Sequence, residues 1–303
     1  MPELPDVELY LSALRPRIVG RPIEQVRLAA PFLLRSVEPG LDATLGKPVV
    51  GLRRIGKRVV WELSGGLFLV FHLMIAGRFK WRDRGAVVPK RLGLAAFDFP
   101  DGTLLITEAS TRKRASLHVV QGEEALAALD PGGRDVMASS IDSFTEILQK
   151  ESHTLKRALT DPHLFSGIGN AYSDEILHRA KLSPFKLTRQ LSASDIRELH
   201  AATIEVLAEW TARLQEEAGG RFPENVTAFH EGMAVHGRFG KPCPVCGSPV
   251  QRIVHGEHEV NYCPTCQTEG RLLADRALSK LLKDDWPRTL DELERRRQQS
   301  QSK

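Results

Sequence analysis

The four cysteines of this chain fall in two pairs, Cys243-Pro-Val-Cys246 and Cys263-Pro-Thr-Cys266, with sixteen residues between them. A C-x2-C knuckle, a hairpin-length spacer and a second knuckle offer four thiolates to one tetrahedral ion. The spacing therefore predicts a closed structural zinc site, one Zn2+ held by Cys243, Cys246, Cys263 and Cys266. The competing arrangement, two disulfides, belongs to an oxidising compartment, and the N-terminus carries no basic stretch followed by an apolar one. With every ligand position filled, such an ion staples a hairpin and leaves the chemistry to other residues.

Two other stretches carry chemistry. In Met1-Pro2-Glu3-Leu4-Pro5-Asp6, methionine precedes a small residue and is a candidate for trimming, which would leave Pro2 as a secondary amine with a pKa of about 8 on the α-amino scale. Such an amine is nucleophilic at neutral pH and condenses with an aldehyde carbon to an iminium. Glu3 beside it can give and take protons, and a helix start just downstream favours its charged form. The second stretch is Ser166-Gly167-Ile168-Gly169-Asn170-Ala171-Tyr172-Ser173-Asp174-Glu175. Two glycines make a tight turn and Asn170 suits the N-cap of a following helix, so outward amides and the helix dipole can grip a phosphate. A purely structural corner between helices is the alternative; a dinucleotide fingerprint is not, because the third glycine and the preceding strand are missing.

These residues need a scaffold, and 303 residues suffice for two domains or one large one. Apolar runs such as Leu67 to Leu73 are too short to cross a bilayer, so the expectation is a cytoplasmic protein without membrane contact. Val7, Leu11 and Leu14 share one face of a first helix that Pro5 suits at its start and Pro16 stops or kinks. Between Pro22 and Val120, strand-length runs at Val59 to Leu63, Leu67 to Leu73, Leu94 to Phe99 and Thr103 to Thr107 alternate with glycine turns, the pattern of an antiparallel sandwich or barrel. A turn cluster at Asp130-Pro131-Gly132-Gly133 marks a boundary, and helical periodicity then runs to about Glu217. The reading is thus an α+β multidomain chain: 1–130 a β-sandwich with a leading helix, 131–220 helical, 235–267 the zinc hairpin, and 268–303 a charged tail. Net charge is only +4, but cations cluster at Arg53, Arg54, Lys57 and Arg58, at Arg78, Lys80, Arg82 and Arg84, and at Arg112, Lys113 and Arg114. Three clusters in one region point to a polyanion.

Taken together, Pro2-Glu3-Leu4-Pro5, the lysine after glycine in Ile55-Gly56-Lys57-Arg58, the turn Gly167-Ile168-Gly169-Asn170-Ala171-Tyr172 and the ordered cysteines strongly resemble the formamidopyrimidine-DNA glycosylase / endonuclease VIII family, from Pro2 to Gln267. The resemblance implies a β-sandwich, a helix-two-turn-helix domain and a zinc ribbon. It also implies a monomeric repair enzyme that excises a damaged base from double-stranded DNA and nicks the strand at the abasic site by β or β,δ-elimination. By position, Pro2 would attack C1′, Glu3 would be its acid/base partner, and Lys57 and Asn170 would hold backbone phosphates. An extruded base suits this chemistry, since C1′ is out of reach while the nucleotide is stacked.

The chain also departs from the family pattern, with Asp6 standing where glutamate is usual. In His72-Leu73-Met74-Ile75-Ala76-Gly77, Ile75 takes the place of a methionine wedge that fills the gap left by the flipped nucleotide. In Ser110-Thr111-Arg112-Lys113-Arg114-Ala115, Lys113 and Arg114 replace an arginine and an aromatic wedge. His258 replaces the ribbon arginine four residues before Tyr262 and cannot make a bidentate phosphate contact. The linker from Arg221 to Ala234 is short for a loop that caps 8-oxoguanine, so the expected lesion is a different modified base. A non-catalytic binder of damaged or distorted DNA on the same fold is the alternative; an unrelated zinc-ribbon RNA binder leaves the N-terminal motif unexplained. The chain continues 37 residues past Cys266, where Leu278, Leu281 and Leu282 suit a docked helix and a disordered basic appendage is the alternative.

Overall fold

The computed structural model describes residues 1–227, 229–255, 258–274 and 287–301. Two compact units form: residues 1–133 with 207–227, and residues 134–206 with those from 229 onward.

The first unit opens with helix α1 (Leu4–Ile18), which buries Val7, Leu11 and Leu14 and carries Pro5 in its first turn. Of the two outcomes expected at Pro16, a stop or a kink, the stop does not occur there: the helix runs two residues further. In the last turn a proline forfeits little of the hydrogen-bond ladder, and Val19 N–H still closes on the Arg15 carbonyl at 3.2 Å. Eight strands follow: β1 (Gln25–Leu28), β2 (Val49–Ile55), β3 (Arg58–Leu63), β4 (Leu67–His72), β5 (Gly77–Arg82), β6 (Gly93–Phe99), β7 (Gly102–Glu108) and β8 (Ser116–Gln121). They make two antiparallel sheets, ordered β1-β6-β7-β5 and β2-β3-β4-β8. Trp61, fully buried, joins the two: its ring lies 4.6 Å from Phe71 in its own sheet and 5.2 Å edge-on to Phe97 in the other. Such aromatic pairs add to area burial in fixing how sheets pack. A short helix α2 (Glu123–Ala127) covers Val60, Phe68 and Val70 through Leu126.

The second unit holds α3 (Ile141–Gln149), α4 (Leu155–Thr160), α5 (Asn170–Arg179) and the start of α6 (Ala193–Ala218), whose residues from Leu207 group with the first unit. Ser140 and Thr154 cap α3 and α4 with side-chain oxygens, as helix starts require. Gly219 and Gly220, at φ +54° and +78°, end α6 in the left-handed region that glycine enters without strain. The ribbon is the hairpin β9 (Gln251–His255) and β10 (His258–Tyr262), followed by α7 (Pro264–Thr268). Past it the tail returns: Leu272 N–H donates to the Arg288 carbonyl at 2.9 Å, and Leu273 N–H to the Tyr262 hydroxyl at 2.9 Å. At the start of helix α8 (Leu290–Gln301) the Thr289 hydroxyl accepts from Glu292 N–H, and the Glu292 carboxylate accepts from the N–H of Arg288, the residue before the cap. Leu278, Leu281 and Leu282 lie outside the described residues.

Candidate functional site

At the N-terminus of the first unit Pro2 is buried, and Glu3 and Asp6 are 2% and 0% exposed. Glu3 is the N-cap of α1. Its N–H donates to the Asp6 carboxylate at 2.8 Å while its own side chain accepts from the Asp6 N–H. The shorter Asp6 thus reaches its partner, and the helix start fixes the Glu3 carboxylate beside the chain terminus. Lys57 sits in the two-residue turn joining β2 to β3, where Gly56 takes φ +58°. Burial lowers the pKa of the terminal amine; Glu3 and Asp6 oppose that, and the positive charges of Arg78 and Lys57 add to it. With Met1 in place that amine belongs to Met1, and Pro2 is one residue further into the same cluster. His72, at the end of β4, has its pKa pushed down to about 4, by burial first and then by Arg58, Lys57, His118 and the terminus. It is therefore a neutral hydrogen-bonding group at pH 7 and not a cation for phosphate.

Ile75 tops the turn between β4 and β5 and is 56% exposed. The turn is braced: Met74 takes φ +53°, Gly77 N–H donates to the Leu73 carbonyl at 2.9 Å, and a Cβ on Gly77 would sit 2.3 Å from that oxygen. From the other side the Arg78 guanidinium donates to the carbonyls of Ile75 at 3.1 Å and Gly77 at 2.6 Å. A second loop follows β7, organised by Glu108, which is 1% exposed and accepts from Arg114 N–H at 2.9 and 3.0 Å and from Ala115 N–H at 3.2 Å. Lys113 and Arg114 behave differently. The Lys113 ammonium folds back onto the Glu108 carbonyl, whereas the Arg114 side chain is exposed, as is that of Arg112. Sequence reasoning left Arg112 out of the site residues.

In the second unit, Gly169 is the N-cap of α5 and Asn170 its first residue, so Asn170 lies one position inside the cap expected for it. Gly167, at φ +84°, makes the preceding turn. Behind it is a buried polar network. Lys156 on α4, 7% exposed, donates to the Asn170 carbonyl at 2.6 Å and to the fully buried Asp174 carboxylate. The other oxygen of Asp174 accepts from His236 Nδ1 at 2.9 Å and from Asn261 N and Nδ2 at 3.1 and 3.2 Å. Glu175 accepts from the N–H groups of Ala234, Val235 and His236 at 2.7 to 2.9 Å. Burial raises its pKa against those bonds, which lower it. The sequence signal for this network was two acids beside the apolar Ile176 and Leu177. Apart from Lys156, 18 residues back, their partners lie 59 to 87 residues away, where no local pattern reaches.

The four cysteine sulfurs all lie within 4.8 Å of one another, with Cys246 to Cys263 at 3.4 Å and Cys243 to Cys266 at 3.9 Å. Metal–sulfur bonds of about 2.3 Å in a tetrahedron put sulfurs about 3.8 Å apart, so the set fits one zinc ion. His178 Nε2 lies 3.3 Å from the Cys243 sulfur. Burial, then Arg179, takes its pKa down to about 4, leaving a neutral ring that can donate to a thiolate and orient it. Gln267 accepts from Cys263 N–H at 2.8 Å and donates to the Leu182 carbonyl at 2.9 Å, tying α7 to the chain beyond α5. His258 pairs through its backbone with His255; its side chain is outside the described residues. Arg252 lies over Phe239 at 4.6 Å and 3.5 Å from Glu259, and Arg271 is 3.8 Å from Glu269.

Three family domains match this chain in order: the formamidopyrimidine-DNA glycosylase N-terminal domain over residues 1–119, the formamidopyrimidine-DNA glycosylase H2TH domain over 129–217, and the zinc finger found in FPG and IleRS over 240–268. The chain is 34% identical over 284 residues to formamidopyrimidine-DNA glycosylase from Thermus thermophilus, covering 89% of this chain and 100% of that protein. A formamidopyrimidine-DNA glycosylase-like protein of Mycobacterium tuberculosis is 40% identical over 151 residues, covering 50% of this chain and 94% of that one. Lactococcus lactis formamidopyrimidine-DNA glycosylase non-covalently bound to DNA with an AP site superposes at TM-score 0.77 with 28% identity, covering 88% of this chain and 99% of that one. The same enzyme with FAPY-dG-containing DNA gives 0.78, covering 88% and 100%. No described helix is long and apolar enough to cross a membrane. The ordered domains, the four-cysteine site and full-length relatives lead to one assignment: the chain belongs to the formamidopyrimidine-DNA glycosylase family.

Proposed function

We propose that this protein is a base-excision DNA glycosylase with AP lyase activity, acting as a cytoplasmic monomer on double-stranded DNA that carries a modified base other than standard 8-oxoguanine. After removal of Met1, the Pro2 nitrogen forms a bond to C1′ as the bond from C1′ to the base breaks. The base leaves with that electron pair and takes up a proton. Loss of the amine proton and opening of the sugar ring give an iminium, and removal of a C2′ proton then expels the 3′ phosphate, which nicks the strand. Glu3 moves the protons. Lys57 and Asn170 hold phosphates, and Ile75, Lys113, Arg114, His72 and His258 contribute to the DNA surface. The observation that carries this reading is the terminal amine, its pKa lowered by burial beside Arg78 and Lys57, with buried Glu3 held at the start of α1.

Borohydride trapping on a duplex with one abasic site tests it. The intact protein is expected to form a covalent complex and Pro2→Gly to lose it. Equal trapping by both would remove Pro2 from the chemistry. A second reading, a DNA binder without catalysis, is motivated by a loop in which no aromatic stands at positions 110–115 and Lys113 is turned onto the Glu108 carbonyl. Duplex binding with no trapping by either protein would favour it.

A further inference from the structure

One carboxylate in the second unit is shared between two elements that the reaction uses differently. Asp174 sits in the first turns of α5 and is 0% exposed. One of its oxygens takes the Lys156 ammonium, which also holds the Asn170 carbonyl at 2.6 Å. The other takes three donors from the ribbon side, His236 Nδ1 and both nitrogens of Asn261. We propose that Asp174 is a positioning residue that couples order in the zinc ribbon to the DNA grip of the Asn170 turn.

The coupling follows from the cost of a buried charge. A carboxylate out of water is stable only while its lone pairs are met, and taking one partner away leaves the rest uncompensated. Loss of the ribbon-side donors leaves Lys156 as the partner of Asp174 among the bonds described, and the uncompensated carboxylate draws that ammonium more fully to itself. The shift takes Lys156 away from the Asn170 carbonyl, so the first turn of α5 loses its anchor. Glu175, the neighbouring acid, provides a built-in contrast. It accepts three N–H groups at residues 234–236 but has no bond to Lys156 or Asn170 among those described. It secures the chain entering the ribbon without touching the turn.

This inference rests on Asn170 gripping DNA, and the test separates the two. Affinity for a duplex containing an uncleavable abasic analogue is measured with the full-length zinc-loaded protein at fixed salt, for Asn170→Ala in three backgrounds: otherwise wild type, Asp174→Asn and Glu175→Gln. In the wild-type background Asn170→Ala is expected to weaken binding about tenfold, the scale of one hydrogen bond to a charged group. With Asp174→Asn already present the same substitution is expected to cost less than about twofold, a coupling factor of about five or more. With Glu175→Gln present it is expected to cost the full tenfold, which a merely structural weakening would not give. Equal costs in the wild-type and Asp174→Asn backgrounds overturn the coupling while leaving the grip intact. No cost in the wild-type background overturns the grip and the coupling with it. If Asp174→Asn does not fold, His236→Phe runs the same cycle, since it removes one ribbon-side donor and leaves the Lys156 pair; undiminished cost there also overturns the proposal.

Discussion

Replacing Glu108 with alanine should loosen the loop that carries Arg112, Lys113 and Arg114. The buried carboxylate takes the N–H groups of Arg114 and Ala115, the latter itself 1% exposed. A hydrogen bond to a charged acceptor contributes about 1.5–3 kcal/mol, so two donors set an upper range of about 3–6 kcal/mol. Arg114 N–H is only part-buried and water can replace its partner, while Ala115 N–H would be left dry. The expected loss is therefore about 2–3 kcal/mol. Tryptophan emission in a Trp286→Phe background is a suitable probe because the other three tryptophans, Trp61, Trp81 and Trp210, all belong to the first unit, and Trp61 is fully buried among Phe71, Phe97 and Phe99. At about 2–4 °C per kcal/mol the melting of that unit should fall by about 4–12 °C. Arg114→Ala removes only an exposed side chain and should shift it by less than about 2 °C. The variant should also bind a lesion duplex more weakly at temperatures where it is folded. A Glu108→Ala melt within 1 °C of wild type would refute the view that this carboxylate holds the loop.

Gly77→Ala should destabilise the same unit by more than about 2 kcal/mol, because its Cβ meets the Leu73 carbonyl at 2.3 Å and the turn bearing Ile75 must open; an unchanged melt would contradict this. His72 is pushed down from its ordinary 6.5 to about 4, so the unfolded chain binds a proton that the folded one refuses between those values. Stability should be full above pH 6.5 and decline as pH falls towards 4, and His72→Gln should flatten that slope in a urea titration. Chelating zinc should unfold the ribbon and free His178 and Gln267 for hydrogen exchange while the tryptophan melt of the first unit stays put; a matching fall in both units would count against separate units. Of the eleven clustered cations, at least six are engaged within the protein, so the slope of log affinity against log salt should be about 4–5 at most and not about 10. Duplex titrations between 50 and 200 mM salt measure it (about a fourfold span), and a slope near ten would show that those internal pairs open on DNA.

Features built from neighbouring residues were legible in the sequence. The cysteine knuckles declare themselves by spacing, and the sulfurs indeed come within 4.8 Å of each other. Strands β3, β4, β6 and β7 were visible because apolar runs stop at glycine turns, and α3 to α6 because their apolar residues recur every three to four positions. Whether Pro16 stops or kinks its helix was left open because position within a helix decides what a proline costs, and sequence does not say which turn is last. Asn170 missed its cap by one residue because Gly169 can take the extended backbone of an N-cap as well. The network around Asp174 was not legible. His236 and Asn261 approach from 62 and 87 residues away, and only the fold makes them neighbours.

The charge clusters show how a correct signal can carry the wrong weight. Arg53 pairs with Glu62 at 2.8 Å and with Glu123 at 2.6 Å, Arg54 with Glu8 at 3.2 Å, Arg84 with Glu24 at 2.8 Å, and Arg82 with Glu224. Arg78 and Lys113 spend their donors on backbone carbonyls of the two loops proposed to meet DNA. A cation so used still contributes to the long-range field, and so to steering a polyanion towards the first unit. It releases no counterion on binding unless its internal partner is given up. In the proposed function, Arg78 and Lys113 therefore act on DNA through the shape they give Ile75 and Arg114. Their substitution should change the fit of a lesion more than the salt dependence of affinity, the reverse of what their place in a basic cluster suggests.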